Sequence, residues 1–166
     1  MERGHEYRVE VRWTGDRGQG TSSYVAYGRE HTIQAASKPV LLGSSDPAFR
    51  GDPSRYNPEE LLVAALSSCH MLSYLHLCTV HGIRVVGYED HAEGVMEPRA
   101  DGTLAFSRVT LHPHVKIASG DRAKAEALHE DAHKACFIAS SVNFPVTHQA
   151  TIELGGSGAG AGHGPP

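Results

Sequence analysis

The sequence predicts an α+β fold built as a single domain over residues 1–154, followed by a Gly-rich tail at 155–166. Three observations carry this. One segment, Asn57 to Val80, is apolar on nearly every side, alternating segments lie before and after it, and their order is not a regular β-α-β alternation.

The first alternating segment is Glu6 to Trp13, where Tyr7, Val9, Val11 and Trp13 interleave with charged residues at the period of a half-buried strand. GDRGQGT supplies a turn, and SSYVAYGREHTIQA reads as the returning strand or strands. Ser37 to Tyr56 is rich in Pro, Gly, Ser and Asp and reads as an ordered loop. It is too long for a plain connector, which makes it a candidate to carry function. The central helix follows, with Asn57 as N-cap, Pro58 in the first turn, and Glu59 and Glu60 at the positive end of the dipole. At roughly 24 residues it spans about 35 Å. Ser67, Ser68, His70 and His76 argue against a membrane span, and its apolar circumference asks other elements to wrap it. His81-Gly82 stops the helix. Ile83 to Met96 reads as a strand, EPRADG as a turn and Leu104 to Ile117 as its antiparallel partner. Asp121 caps a second helix, RAKAEALHEDAHKA, a shorter helical piece covers Phe137 to Val142, and a last strand runs from Val146 to Leu154. The tail has too little apolar content to order itself.

The totals exclude several classes of function. A net charge of −4 offers no electrostatic footprint for nucleic acid or an anionic membrane. The mixed N-terminal segment MERGHEYRVEVRW does not resemble a signal peptide, and three cysteines without one suit a reducing, cytoplasmic setting.

There, cysteines are buried packing residues or chemically used ones. Cys69 and Cys78 lie nine residues apart on one helix, about 13 Å along its axis, too far to pair within it. Any intrachain disulfide therefore involves Cys136, with either Cys69 or Cys78. Cys69 sits mid-helix, beyond the reach of the helix N-terminus, so a thiolate there needs a cation from elsewhere. Arg50 and Arg55 are the candidates nearest in sequence, unless both are solvated loop charges. Glu59, roughly 80° around the helix from Cys69, could orient such an arginine by a two-point contact.

HEDAH, His129 to His133, fits the H-E-x-x-H pattern of zinc peptidases, and helical spacing puts both histidines on one face with Glu130 nearby. The chain holds 12 histidines, so such a match carries little weight, and a third ligand at the expected spacing is missing. His70, His76, His81, His112 and His114 each read as a satisfied or solvent-facing histidine.

Residues 57–69, NPEELLVAALSSC, resemble the signature N-P-E-[EQ]-L-x-x-A-A-x-x-x-C of the OsmC/Ohr superfamily of thiol peroxidases. Cys136, 67 residues after Cys69, resembles the family's second cysteine, and the similarity extends over residues 5–154. The resemblance implies an OsmC-like fold, with antiparallel sheets wrapped around a long buried central helix in an intertwined homodimer. It implies that Cys69 attacks a hydroperoxide, that Glu59 positions an arginine and that Cys136 resolves the oxidised thiol as a disulfide. The arginine is assigned to Arg50, with Arg55 and the more distant Arg17 as alternatives. A dithiol reductant, in this family often a lipoyl-bearing protein, restores the thiols, and no metal, flavin or nicotinamide cofactor takes part. The His-rich second helix and the long loop GSSDPAFRGDPSRY resemble a separate OsmC-like branch. A redox-sensing or small-molecule-binding module on the same fold is the non-enzymatic alternative, and a zinc-dependent hydrolase at HEDAH a remote one.

Overall fold

A computed structural model describes residues 4–155. The chain forms two compact units, Met1–Leu62 and Val63–Pro166, with the division inside the long helix. The expectation of a disordered tail falls on residues 156–166, outside the described residues. Gly155 itself is held, its N–H donating to Ile117 O at 2.8 Å.

In the first unit, β1 (Glu10–Trp13), β2 (His31–Gln34) and β3 (Leu41–Gly43) form an antiparallel sheet in the order β1-β2-β3. The strands are shorter than the alternation suggests: β1 starts at Glu10, not Glu6, and residues 14–30 form a loop closed by Thr14 N donating to Glu30 O at 2.9 Å and Gly28 N to Gly15 O at 2.7 Å. Asp16 Oδ1 accepts from the N–H groups of Gly18 and Gly20, both at positive φ, which wraps a tight loop. Arg29 lies over the rings of Tyr24 and Tyr27 and donates to both of their carbonyls. The long loop contains β3 and a helical turn, Pro47–Phe49, capped by Asp46 at 2.7 Å from Ala48 N.

Helix α1 (Pro58–Val80) opens on a reciprocal capping box. Asn57 Oδ1 accepts from Glu60 N at 2.8 Å, and Glu60 Oε2 accepts from Asn57 N at 3.0 Å. It closes as expected at His81-Gly82. Ile83 N donates to Cys78 O and Gly82 N to Thr79 O with Gly82 at positive φ, the paired bonds of a Schellman motif. By length and composition α1 could cross a membrane. Its buried stripe, Leu66, His70, Tyr74 and Cys78, instead carries polar groups bonded to the second helix, as a core helix does. Only that stripe is buried by the chain, while Leu72 and Val80 remain 64% exposed.

The second unit then runs through β4 (Arg84–Asp90), β5 (Glu93–Pro98), β6 (Leu104–Leu111), β7 (Pro113–Ser119), α2 (Arg122–Ala135), β8 (Val146–His148) and β9 (Thr151–Leu154). Each long strand read from the sequence is broken once. The N-terminal and C-terminal parts fall into two different sheets, β4-β7-β9 and β5-β6-β8. The bend is fastened by Asp90, whose Oδ1 accepts from His112 N at 2.7 Å and whose Oδ2 accepts from Ser67 Oγ on α1. The hairpin pairs antiparallel as anticipated. The last strand differs, because β8 joins β6 and β9 joins β7 in parallel. Asp121 Oδ1 caps α2 through Ala123 N and Lys124 N. Tyr74, Cys78, Val115, Ile117, Ala125, Leu128, Ala132 and Ile152 make the core between α1, α2 and the β4-β7-β9 sheet.

Candidate dithiol site

Two of the residues singled out in the sequence meet in the second unit. Cys69 lies half-buried on α1, and Cys136 ends α2 as its C-cap with only 1% of its surface exposed. The Cys69 thiol lies near enough to shift that of Cys136, and both are free thiols. Burial, then the neighbouring Cys69 thiol, pushes the Cys136 thiol up to about 11, while the Ala139 N–H, 3.4 Å from its Sγ, pulls weakly the other way. Cys136 is therefore held as a thiol at neutral pH, and Cys69 is the more accessible sulfur. It is Cys69, rather than Cys78, that neighbours Cys136. Cys78 is buried against Tyr74, and its thiol is raised by that burial.

Arg50, Arg55 and Glu59 belong to the first unit. Arg50 stands exposed after the Pro47–Phe49 turn with φ of 67°, a left-handed conformation. Arg55 Nε is 3.4 Å from Asp52 Oδ2, and Arg17 is 3.8 Å from Glu30. Glu59 Oε2 is buried with no hydrogen-bond partner, and among the described residues no ion pair joins it to an arginine.

The HEDAH segment does not assemble a metal centre. His129 turns inward onto Tyr74, with ring centres 3.9 Å apart, whereas Glu130 turns outward to Lys134 at 3.3 Å. Among the described residues no cluster of three His, Cys, Asp or Glu could hold a metal. The helix period put the two histidines near one face but could not say which core residues each would meet.

Sequence reasoning missed a buried histidine pair, His70 with His129, bonded at 3.0 Å. Burial first, then His148 and His133 with Asp90 opposing, lowers His70 to about 4. Burial first, then His70 and His148, lowers His129 to about 3. Their separation of 59 residues left no local signal for the pairing.

Residues 51–151 match the sequence family described as OsmC-like protein. An OsmC-like protein of unknown function from Vibrio cholerae, VCA0330, superposes with a TM-score of 0.81 at 30% identity, covering 89% of this chain and 100% of that one. The organic hydroperoxide resistance protein OhrB of Bacillus subtilis shares the fold at a TM-score of 0.59 and 19% identity, over 90% of this chain and 98% of its own. The uncharacterized protein YmaD of Bacillus subtilis strain 168 is 21% identical over 159 residues, 92% of this chain and 97% of that protein.

Proposed function

The chain belongs to the OsmC/Ohr superfamily, and on that footing we propose that it is a cysteine-based peroxidase acting on organic hydroperoxides or hydrogen peroxide. A redox-related role follows from the family, which includes organic hydroperoxide resistance proteins. The observation that carries the finer reading is the neighbouring pair of free thiols, one half-buried and one fully buried.

In the first step Cys69, as thiolate, attacks the terminal peroxide oxygen. The O–O bond breaks, Cys69 becomes a sulfenic acid, and the departing alkoxide or hydroxide takes a proton to leave as alcohol or water. In the second step the Cys136 sulfur attacks the Cys69 sulfenic sulfur. The S–O bond breaks, the S–S bond forms, and the hydroxyl leaves with the Cys136 proton as water. A dithiol reductant, such as a lipoyl-bearing protein, then regenerates both thiols by exchange. Family resemblance gives Arg50 the role of stabilising the thiolate and Glu59 that of orienting the arginine. The buried, unpartnered Glu59 Oε2 supports a guanidinium as its functional partner. The exposed apolar side chains Leu72 and Val80 on α1, and Val11 and Trp13 on β1, support a homodimer as the working form. The reaction belongs in the cytoplasm, with neither nucleic acid nor membrane as a partner.

A redox-sensing module with little turnover is the second reading. To test the first, reduced protein is exposed to a single equivalent of an organic hydroperoxide and its disulfides are mapped by peptide mass spectrometry. A Cys69–Cys136 linkage within seconds is the expected result. Thiols unchanged after minutes would refute the peroxidase, and slow oxidation without steady-state turnover on a dithiol donor would favour the sensor.

A further inference from the structure

The two helices that carry the cysteines are joined by a buried polar seam. His70 Nε2 lies 3.0 Å from His129 Nδ1, with the rings 1% and 0% exposed. Their planes are within 7° of each other and their centres 5.3 Å apart. The centre separation exceeds the N···N distance by 2.3 Å, which is two imidazole radii. The nitrogens therefore point at each other along the line of centres, and the rings lie end to end in one plane instead of face to face. Such a bond takes a donor from one neutral ring and an acceptor from the other. One turn further along α1, Tyr74 Oη donates to Ala125 O at 3.1 Å and stacks on the His129 ring. The two rungs, His70 to His129 and Tyr74 to Ala125, are each four residues apart on their helix and run in opposite order. The seam therefore sets an antiparallel register between α1 and α2.

Apolar packing alone tolerates sliding, because it has no direction, whereas an in-line buried hydrogen bond does not. A slip between the helices would leave two buried imidazole nitrogens unpaired in addition to His70 Nδ1 and His129 Nε2, which already have no partner. A single buried polar pair that fixes helix register is well attested in coiled coils. Here the register matters chemically, because Cys69 is the residue before His70 and Cys136 lies two turns after His129.

We propose that His70 and His129 are positioning residues that clamp α1 against α2 in the register where the Cys69 and Cys136 sulfurs meet. The inference rests on the dithiol reading above, and it concerns the disulfide-forming step only. Neither ring takes a proton from substrate. The clamp raises the effective concentration of the Cys136 thiol at the Cys69 sulfur.

The test replaces His129 by leucine, which removes the bond, and by asparagine, whose side-chain amide can take the place of Nδ1. Each variant is equilibrated with reduced and oxidised glutathione, and the Cys69–Cys136 disulfide is quantified by peptide mass spectrometry. His129→Leu should lower the effective concentration of the pair by about tenfold or more, and His129→Asn should restore most of it. After a single equivalent of cumene hydroperoxide, dimedone trapping should show Cys69 sulfenate forming in His129→Leu at near the wild-type rate while the disulfide lags. An undiminished effective concentration in His129→Leu would overturn the proposal, as would equal slowing of both steps. If wild type closes the disulfide with glutathione but ignores hydroperoxide, the peroxidase reading fails and the clamp stands. Should His129→Leu not fold, imidazole nitrogen NMR of the wild type decides. A trans-hydrogen-bond coupling between His70 Nε2 and His129 Nδ1 supports the clamp, and its absence with two independently titrating rings refutes it.

Discussion

Acidifying the protein from about pH 7 to about pH 4.5 should remove a large part of its stability through two side chains, His70 and His129. In the folded state burial keeps both rings neutral down to about 4 and about 3 respectively, against an ordinary value of 6.5. The unfolded chain therefore binds protons first as the pH falls, so stability rises with pH in this window. The contribution is fully present above about pH 6.5 and is lost progressively towards about pH 4 for His70 and about pH 3 for His129. At about pH 4.5 each ring costs about 2–3 kcal/mol, so the pair costs up to about 5 kcal/mol. Domains of this size typically have about 5–15 kcal/mol in all, so the loss would be conspicuous. The groups facing the pair are His148 on β8, His133 on α2, Asp90 on β4 and Tyr74 on α1. Only Asp90 favours the charged form of His70. Urea unfolding at both pH values, on wild type and on His70→Gln and His129→Asn, isolates the effect, since the exposed carboxylates are common to all three. Each variant should lose about 2–3 kcal/mol less than wild type over the interval. A variant that loses as much as wild type would refute the reasoning.

Cys69→Ser should abolish hydroperoxide consumption in a coupled dithiol assay, whereas Cys78→Ser should leave it nearly intact, because Cys78 is a buried neighbour of Tyr74. Arg50→Ala should slow the first step by about tenfold or more, as loss of an oriented charge does, and Arg55→Ala should matter less because Arg55 is engaged by Asp52. Leu66, fully buried on α1, should cost about 2–5 kcal/mol when replaced by alanine, read as a lower urea midpoint at unchanged slope. Asp121→Ala should cost about 1 kcal/mol by unsatisfying the Ala123 and Lys124 amides, measured the same way.

The features legible in the sequence are those held by neighbours along the chain. Asn57 and Glu60 satisfy each other across three residues, Gly82 supplies the left-handed residue that ends α1, and Asp121 caps amides two and three positions on. Cys69 and Cys136 were recognisable because the motif around the first and the spacing to the second are both linear properties of the chain. The strand breaks were not legible. Alternation continues through residues 84–98 and 104–119, while the bend is imposed by Asp90, which binds an amide 22 residues away and a hydroxyl 23 residues away. Parallel pairing of β8 and β9 was equally hidden, since three- and four-residue strands carry the same alternation whichever way they run.

By itself, the sequence determined where the helices start and stop, that a long apolar helix dominates the chain, and which family and which sulfurs to consider. Only the tertiary structure placed Cys69, rather than Cys78, beside Cys136, and turned His129 of HEDAH to His70 and Tyr74 while Glu130 turned to Lys134. The physical reason is one of range. Caps, turns and periodicity are settled within a few residues by backbone hydrogen bonding and sterics. A bond across 59 residues exists only once two helices have been packed against the same core.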